Sequence, residues 1–231
     1  MRSVLMVSAA ALALPATPAA ARDGAWYVGG DFGAMIVEDI DFDIGTVPVT
    51  DNAVVLNHDY GFDGALFVGY DLGAFRLEAE VAYKRASLDE FENTIALPSS
   101  SGPHPVGARE GFGSTTALSF MINGMLDFGD DDGVSGFVGG GAGYARVQYN
   151  ALRAFENTGE FLDDSDSSFA WQVVAGLRTA MSDKVDVTLR YRFFNVGDVN
   201  TVTFGNDDAQ SSFRSHSLLG GITFNFGAPP P

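Results

Sequence analysis

The chain has 231 residues, 46% hydrophobic, with 30 acidic against 13 basic residues, no cysteine and a net charge of −17. That length suits a single β domain, the charge excludes the basic footprint a nucleic-acid binder needs, and the lack of cysteine excludes disulfides and thiolate metal sites. No internal run of 18 apolar residues is present to form a transmembrane helix, whereas 28 Gly and 19 Phe favour strands and turns.

The first 21 residues have the pattern of a secretory signal. Arg2 supplies the positive start, Val4 to Leu14 the apolar stretch, and Ala19-Ala20-Ala21 a small-residue cleavage site. The apolar stretch is too short for an anchor and is interrupted by Pro15 and Pro18. Cleavage after Ala21 is the expectation.

From there on, apolar and polar residues alternate with period two, the mark of strands with one apolar face. Trp26 to Val37 places Trp26, Val28, Phe32 and Ile36 on one parity and Gly29, Asp31 and Gly33 on the other. Tyr60 to Leu72 follows, with Phe62, Leu66, Val68 and Tyr70 opposite Asp63, Ala65, Phe67 and Gly69. Phe75 to Ser87 alternates Phe75, Leu77, Ala79, Val81 and Tyr83 with Arg76, Glu78, Glu80, Ala82 and Lys84. Thr115 to Phe128 alternates Leu118, Phe120, Ile122 and Leu126 with Ser119, Met121, Asn123 and Asp127. In Val134 to Tyr149 the glycines 139, 140, 141 and 143 blur the parity, and Val138, Ala142 and Tyr144 are assigned to the apolar face. Phe169 to Met181 sets Trp171, Val173 and Leu177 against Gln172 and Arg178. Val185 to Phe194 sets Val187, Leu189, Tyr191 and Phe193 against Asp186, Thr188, Arg190 and Arg192. Ser215 to Phe226 sets Leu218, Ile222, Phe224 and Phe226 against Ser217, Gly221, Thr223 and Asn225.

The connections alternate between short turns at 71–74, 129–133 and 182–184 and long polar stretches at 38–59, 88–112, 150–167 and 195–214. Short and long connections in turn are the layout of an eight-stranded antiparallel up-and-down transmembrane β-barrel, with both termini on the periplasmic side. A soluble barrel would turn the apolar parity inward. Three features favour the membrane. The aromatics are too many for a lumen that eight strands nearly fill. They gather at run ends as two girdles, with Trp26, Tyr27, Tyr70, Phe75, Phe128 and Phe226 at one end and Tyr60, Phe62, Tyr83, Phe169 and Trp171 at the other. The polar parity carries charges of both signs, which can pair in a lumen. The expected lumen network is Asp31, Arg76, Glu78, Glu80, Lys84, Asp127, Arg178, Asp186, Arg190 and Arg192, with Asp63 at its rim.

The closing run, Gly221-Ile222-Thr223-Phe224-Asn225-Phe226, is similar to the terminal signal of outer-membrane proteins, although Leu219 stands where a polar residue is usual. With the signal sequence and the strand ladder, residues 24–226 resemble the OmpA-like or opacity-type eight-stranded barrels. The resemblance implies placement in the bacterial outer membrane among lipid and lipopolysaccharide. It also implies recognition of Gly221, Phe224 and Phe226 by the barrel-assembly machinery. The tail from Gly227 to Pro231 is similar to the start of the Pro-rich linker such barrels carry.

No chemistry is expected. His58 and Asp59, like His216 and Ser217, are neighbours in extended chain and point to opposite faces. His104, between Pro103 and Pro105, reads as solvated. The Gly139 to Gly143 run lacks the Lys-Ser/Thr and the helix of a phosphate loop. The acidic stretches (Glu38, Asp39, Asp41, Asp43, Asp51, Asp59; and Glu156, Glu160, Asp163, Asp164, Asp166) read as solvated charge, with weak divalent cation binding as the alternative. No cofactor or catalytic residue is assigned. A structural and surface-loop role comes first, ahead of a small pore or a loop-borne adhesin.

Overall fold

The period-two alternation gives β-strands throughout, and no helix is found among the described residues. The computed structural model describes residues 24–45, 49–129, 133–156, 158–182 and 184–226. The signal stretch, the Pro-rich tail and most of the 129–133 turn therefore lie outside the described residues. Eleven strands follow in chain order: Trp26–Val37 (β1), Ile40–Ile44 (β2), Thr50–His58 (β3), Gly61–Asp71 (β4), Phe75–Asn93 (β5), Gly107–Glu110 (β6), Phe112–Phe128 (β7), Val134–Arg153 (β8), Leu162–Ser182 (β9), Val185–Val202 (β10) and Asp208–Asn225 (β11).

Eight of them form a closed antiparallel ring in the order β1, β4, β5, β7, β8, β9, β10, β11 and back to β1. Closure rests on β1 and β11, in register from Tyr27 opposite Asn225 to Val37 opposite Ser215. Closure leaves no unpaired edge, which a sheet in lipid requires. Among the described residues these eight correspond to the eight predicted runs.

The long polar connections are largely strand rather than loop. Six ring strands run beyond the predicted ends, and β2 and β3 form a hairpin inside the 38–59 stretch. That hairpin joins β11 on one side, with Ala209 opposite Ile44, and β5 on the other, with Leu56 opposite Phe91. It continues the wall above β1 and β4. The alternation persists there, but with its polarity reversed, so it reads as irregular polar sequence.

β10 makes the reversal explicit. Its inward residues run Asp186, Thr188, Arg190 and Arg192, then Phe194 and Val196; its outward ones run Val187, Leu189, Tyr191 and Phe193, then Asn195. An 18-residue strand extends about 60 Å at ~3.3 Å per residue, whereas crossing a bilayer takes ~9–11 tilted residues. The barrel is therefore a membrane storey with a second, extracellular storey on top. The upper storey has an ordinary buried core, including Phe42, Leu56, Phe91, Tyr149, Phe161, Phe194 and Phe213.

Candidate functional site: the lumen and the outer rim

The outward residues of the membrane storey form a continuous apolar band. Phe32, Leu66, Phe120, Ile122 and Leu218 are each more than half exposed, a costly arrangement in water and the natural one in lipid. Aromatic pairs close it at both ends: Trp26 with Tyr70 below, and Phe32 with Phe62, Tyr144 with Phe169 and Trp171 with Phe193 above. Tyr27 is a correction to the expected girdle. It has the inward parity, is buried, and donates its hydroxyl to Glu78 Oε1 at 3.2 Å.

Inside, the buried charges of the described residues number seven carboxylates and five cations. Asp71 and Arg178 lie lowest, 3.8 Å apart, and Asn225 donates to Asp186 at 2.8 Å. Arg76 grips Asp127 with two hydrogen bonds of 2.6 and 2.9 Å and reaches Glu78 at 4.0 Å. Arg190 lies between Asp31 at 3.1 Å, Glu78 at 3.4 Å and Glu80 at 3.6 Å. Arg192 joins Glu80 at 2.9 Å to Asp63 at 3.0 Å, and Lys84 reaches Asp63 at 3.5 Å. All ten lumen charges named from the sequence thus lie in the barrel interior. Such pairing is what makes buried charge tolerable.

Neutral groups complete the network. Gln172 bridges Glu80 and Asn123, and Ser217 donates to Asp63 at 2.8 Å. Rings line the cationic groups: Arg76 lies over Tyr27 and Phe137, Arg190 over Phe67 and Phe137, and the Lys84 ammonium over Phe194 at 4.1 Å. The sequence reading left out Asp71, Gln172, Asn123 and Ser217. Their inward parity was the available signal.

Glycine makes the room for this network. A Cβ at Gly69 would strike the Tyr27 ring, one at Gly141 the Asn123 amide, and one at Gly221 both Asp31 and Thr188. Gly221, expected from the sequence to belong to an assembly signal, faces inward under Asp31, while Phe224 and Phe226 face outward on or just past the last strand. The glycine run of β8, ambiguous by pattern, sits where long side chains of β7 cross it.

Above Lys84 the lumen is packed with apolar and aromatic side chains. Phe42 packs edge-on against Tyr149 at 5.0 Å, as does Phe91 against Phe161 at 5.0 Å, and Phe194 lies 6.3 Å from Phe213. The segments 94–106, 154–156 and 158–161 fold over the top. His104 is a second correction: it is buried and its Nε2 contacts the Gly159 carbonyl at 3.1 Å. Burial lowers its pKa, more than that contact raises it. His58 reaches Thr115 Oγ1 at 2.8 Å, and burial pulls its pKa down to about 4. His216 lies on the outer wall between Glu38 at 2.9 Å and the Tyr191 hydroxyl at 2.8 Å. Spacing along the chain gave no hint of that contact, which joins the start of the 38–59 stretch to β10 and β11.

The acidic stretches are partly structural. Asp166 and Asp164 accept the backbone N–H groups of Asn200 and Val202, and Asp43 accepts that of Asn52. Burial and the neighbouring Asp39 and Asp43 raise the Asp41 pKa. Among the described residues no three or more acidic or imidazole groups are gathered as a metal site.

A profile of the outer membrane protein beta-barrel domain family matches residues 6–226. The chain is 24% identical over 180 residues to the outer membrane protein PagN of Salmonella typhimurium, covering 71% of this chain and 73% of that one. It is 26% identical over 199 residues to an outer membrane protein of Gluconacetobacter diazotrophicus, covering 79% of this chain and 51% of that one. Among solved structures, OprG from Pseudomonas aeruginosa matches with a TM-score of 0.60 at 11% identity, over 90% of this chain and 98% of that one. Neisserial surface protein A matches with a TM-score of 0.50 at 20% identity, over 88% and 100%. These two show the fold. The chain belongs to the outer membrane protein beta-barrel domain family, and it is an outer-membrane protein of the Gram-negative type.

Proposed function

We propose that this family member is a non-conducting surface protein whose membrane storey anchors a rigid extracellular β-platform, with a structural role in the envelope. The observation that carries the proposal is the double closure of the lumen: an ion-pair ladder below and the Phe42, Phe91, Tyr149, Phe161, Phe194 and Phe213 core above. A pore would need both to rearrange, and eight strands leave an interior that side chains fill. No catalytic role is assigned. Among the described residues His58 and Thr115 are enclosed in the wall with no carboxylate orienting them, His104 meets a carbonyl, and His216 lies between the Glu38 carboxylate and the Tyr191 phenol with no serine or threonine hydroxyl bonded to it. Gly221, Phe224 and Phe226 are proposed as the signal that the assembly machinery reads, supported by the outward aromatics at the closing seam. Lipid and lipopolysaccharide are the proposed surroundings.

Planar bilayer recording tests the central point. The refolded protein is expected to give no stable channels, and discrete channels whose conductance changes in Arg190→Gln would establish a pore instead. A surface-contact role finds support in Val106, Phe155 and Phe204, which are exposed on the extracellular side. If they form an adhesive surface, Phe204→Ser should abolish cell attachment and leave folding intact. If the role is structural alone, attachment is absent in the wild type and deletion of the gene makes the envelope fragile.

A further inference from the structure

We infer that the wall formed by β5, β7 and β8 carries a specific site for one phosphorylated glycolipid of the outer leaflet, with Arg85 and Arg146 holding its phosphate and an apolar hollow below them holding an acyl chain. The inference rests on the outer-membrane placement and not on whether the barrel conducts.

Of the described arginines that are not buried, Arg109 and Arg153 lie high in the upper storey, which leaves Arg85, Arg146 and Arg214 near the membrane rim. The five buried cations all point into the lumen. Arg85 and Arg146 are exposed and stand just past the last outward aromatics of their strands, Tyr83 and Tyr144. That step marks the passage from hydrocarbon to headgroup, where aromatic belts end. Across the sheet, Arg85 is opposite Phe62 and Thr116, and Arg146 is opposite Leu118 and Ser167. The two arginines therefore stand two strands apart, about 10 Å at ~4.8 Å per strand, and in adjacent rows.

Neither has an acidic partner. Arg146 bonds only the Ser165 hydroxyl, at 2.8 and 3.2 Å, and Arg85 makes no hydrogen bond or ion pair among the described residues. Arg214, at the same rim on the other side, lies 3.7 Å from Glu38. With more than twice as many acidic as basic residues in the chain, two arginines left without carboxylates on one patch point to an anion from outside. Guanidinium is the group best suited to phosphate. Thr116, Gln148 and Ser167 fill the same rows and supply donors and acceptors for sugar hydroxyls.

The hollow is an independent observation on the same strands. Directly below, the small outward side chains of Ala79 and Ala142 leave a lipid-facing depression of about 490 Å³ against Leu66, Val68, Phe120 and Ile122. From Arg85 to Ala79 is six residues, or about 20 Å along the strand at ~3.3 Å each. A headgroup on the arginines would place its chain in that slot. A free phosphate would use the arginines but not the hollow, and an unphosphorylated lipid the reverse.

The test uses the full barrel refolded in neutral detergent, with native mass spectrometry reading bound lipid. The probes are bisphosphorylated lipid A, its dephosphorylated form and inorganic phosphate. One arginine near an anionic lipid surface contributes about 1 kcal/mol, or about fivefold. The double variant Arg85→Gln/Arg146→Gln should therefore bind lipid A about 25-fold more weakly, while Arg214→Gln stays at the wild-type level. Ala142→Leu, which fills the hollow, should also weaken lipid A binding, and the gel shift between unheated and boiled samples reports that each variant folds. Equal binding by the double variant and wild type would overturn the inference. So would wild-type binding of the dephosphorylated form at full strength, or displacement of lipid A by equimolar inorganic phosphate.

Discussion

The two storeys of this barrel are built from the same strands and have opposite insides. Below Phe193 the lumen holds Arg76, Glu78, Glu80, Lys84, Arg190 and Arg192, and the outer face is apolar; above it the interior holds Phe194, Phe213 and Tyr149, and Asn195 and Arg214 face outward. The backbone does not change at that level. What changes is the surrounding solvent, and a period-two strand answers it by exchanging the contents of its two parities. Each half buries what its surroundings reject.

The two interiors should fail differently. Arg192→Met leaves Asp63 and Glu80 short of their shared cation. Removing one partner from a buried pair costs ~3–5 kcal/mol, so urea unfolding in lipid vesicles should show the largest loss here, with the whole barrel affected. Phe91→Ala removes a ring packed against Phe161 and should cost ~3 kcal/mol through the cavity. Its mark should be local: new protease cleavage in the upper storey while the membrane storey stays protected. If both variants unfold in one step with the same fragments, the storeys are not separate in their energetics.

The membrane storey was legible in the sequence because lipid outside and charge inside give the sharpest alternation a strand can show. On Phe75 to Tyr83 every outward residue is apolar, and that settled the face. The upper storey was read as loops for a physical reason. Past Phe193, aromatics enter the parity that had carried arginine, so the pattern inverts while the strand continues. The sequence pattern therefore ends the run at Phe194 and carries no sign of the hairpin within 38–59. Tyr27 was placed with the girdle on residue type although its parity matched Gly29 and Asp31. His104 was read as solvated from its neighbours in sequence, whereas contact with Gly159 across the top buries it. The Glu38–His216–Tyr191 contact joins residues 178 positions apart, and no local pattern carries that.

Smaller effects sharpen the comparison. Gly221→Ala pushes a methyl against Asp31 and Thr188 and should cost ~2 kcal/mol by overpacking, measured in the same urea titration. Gly111→Ala in the upper storey meets the flexible Leu88 side chain first and should cost less. Taken per pH unit, His58 gives the smallest effect. Its pKa is near 4 when folded and ~6.5 when unfolded, so below pH 6.5 the unfolded chain takes up the proton first. Stability should fall as pH drops from 6.5 to 4, by at most ~1.4 kcal/mol per pH unit, and level off below. His58→Gln should flatten that part of the profile, and an unchanged slope would assign it to other groups.

The reversal itself is best tested by single-cysteine spin labelling along β10, since the chain has no cysteine of its own. In lipid vesicles, labels at Leu189→Cys, Tyr191→Cys and Phe193→Cys should be accessible to oxygen and shielded from an aqueous nickel chelate. Asn195→Cys and Asn200→Cys should show the opposite, and Phe194→Cys and Val196→Cys should be shielded from both. Nickel accessibility at Phe194 and Val196 would mean a wet upper lumen, and with it the two-storey account and the closed platform would fail.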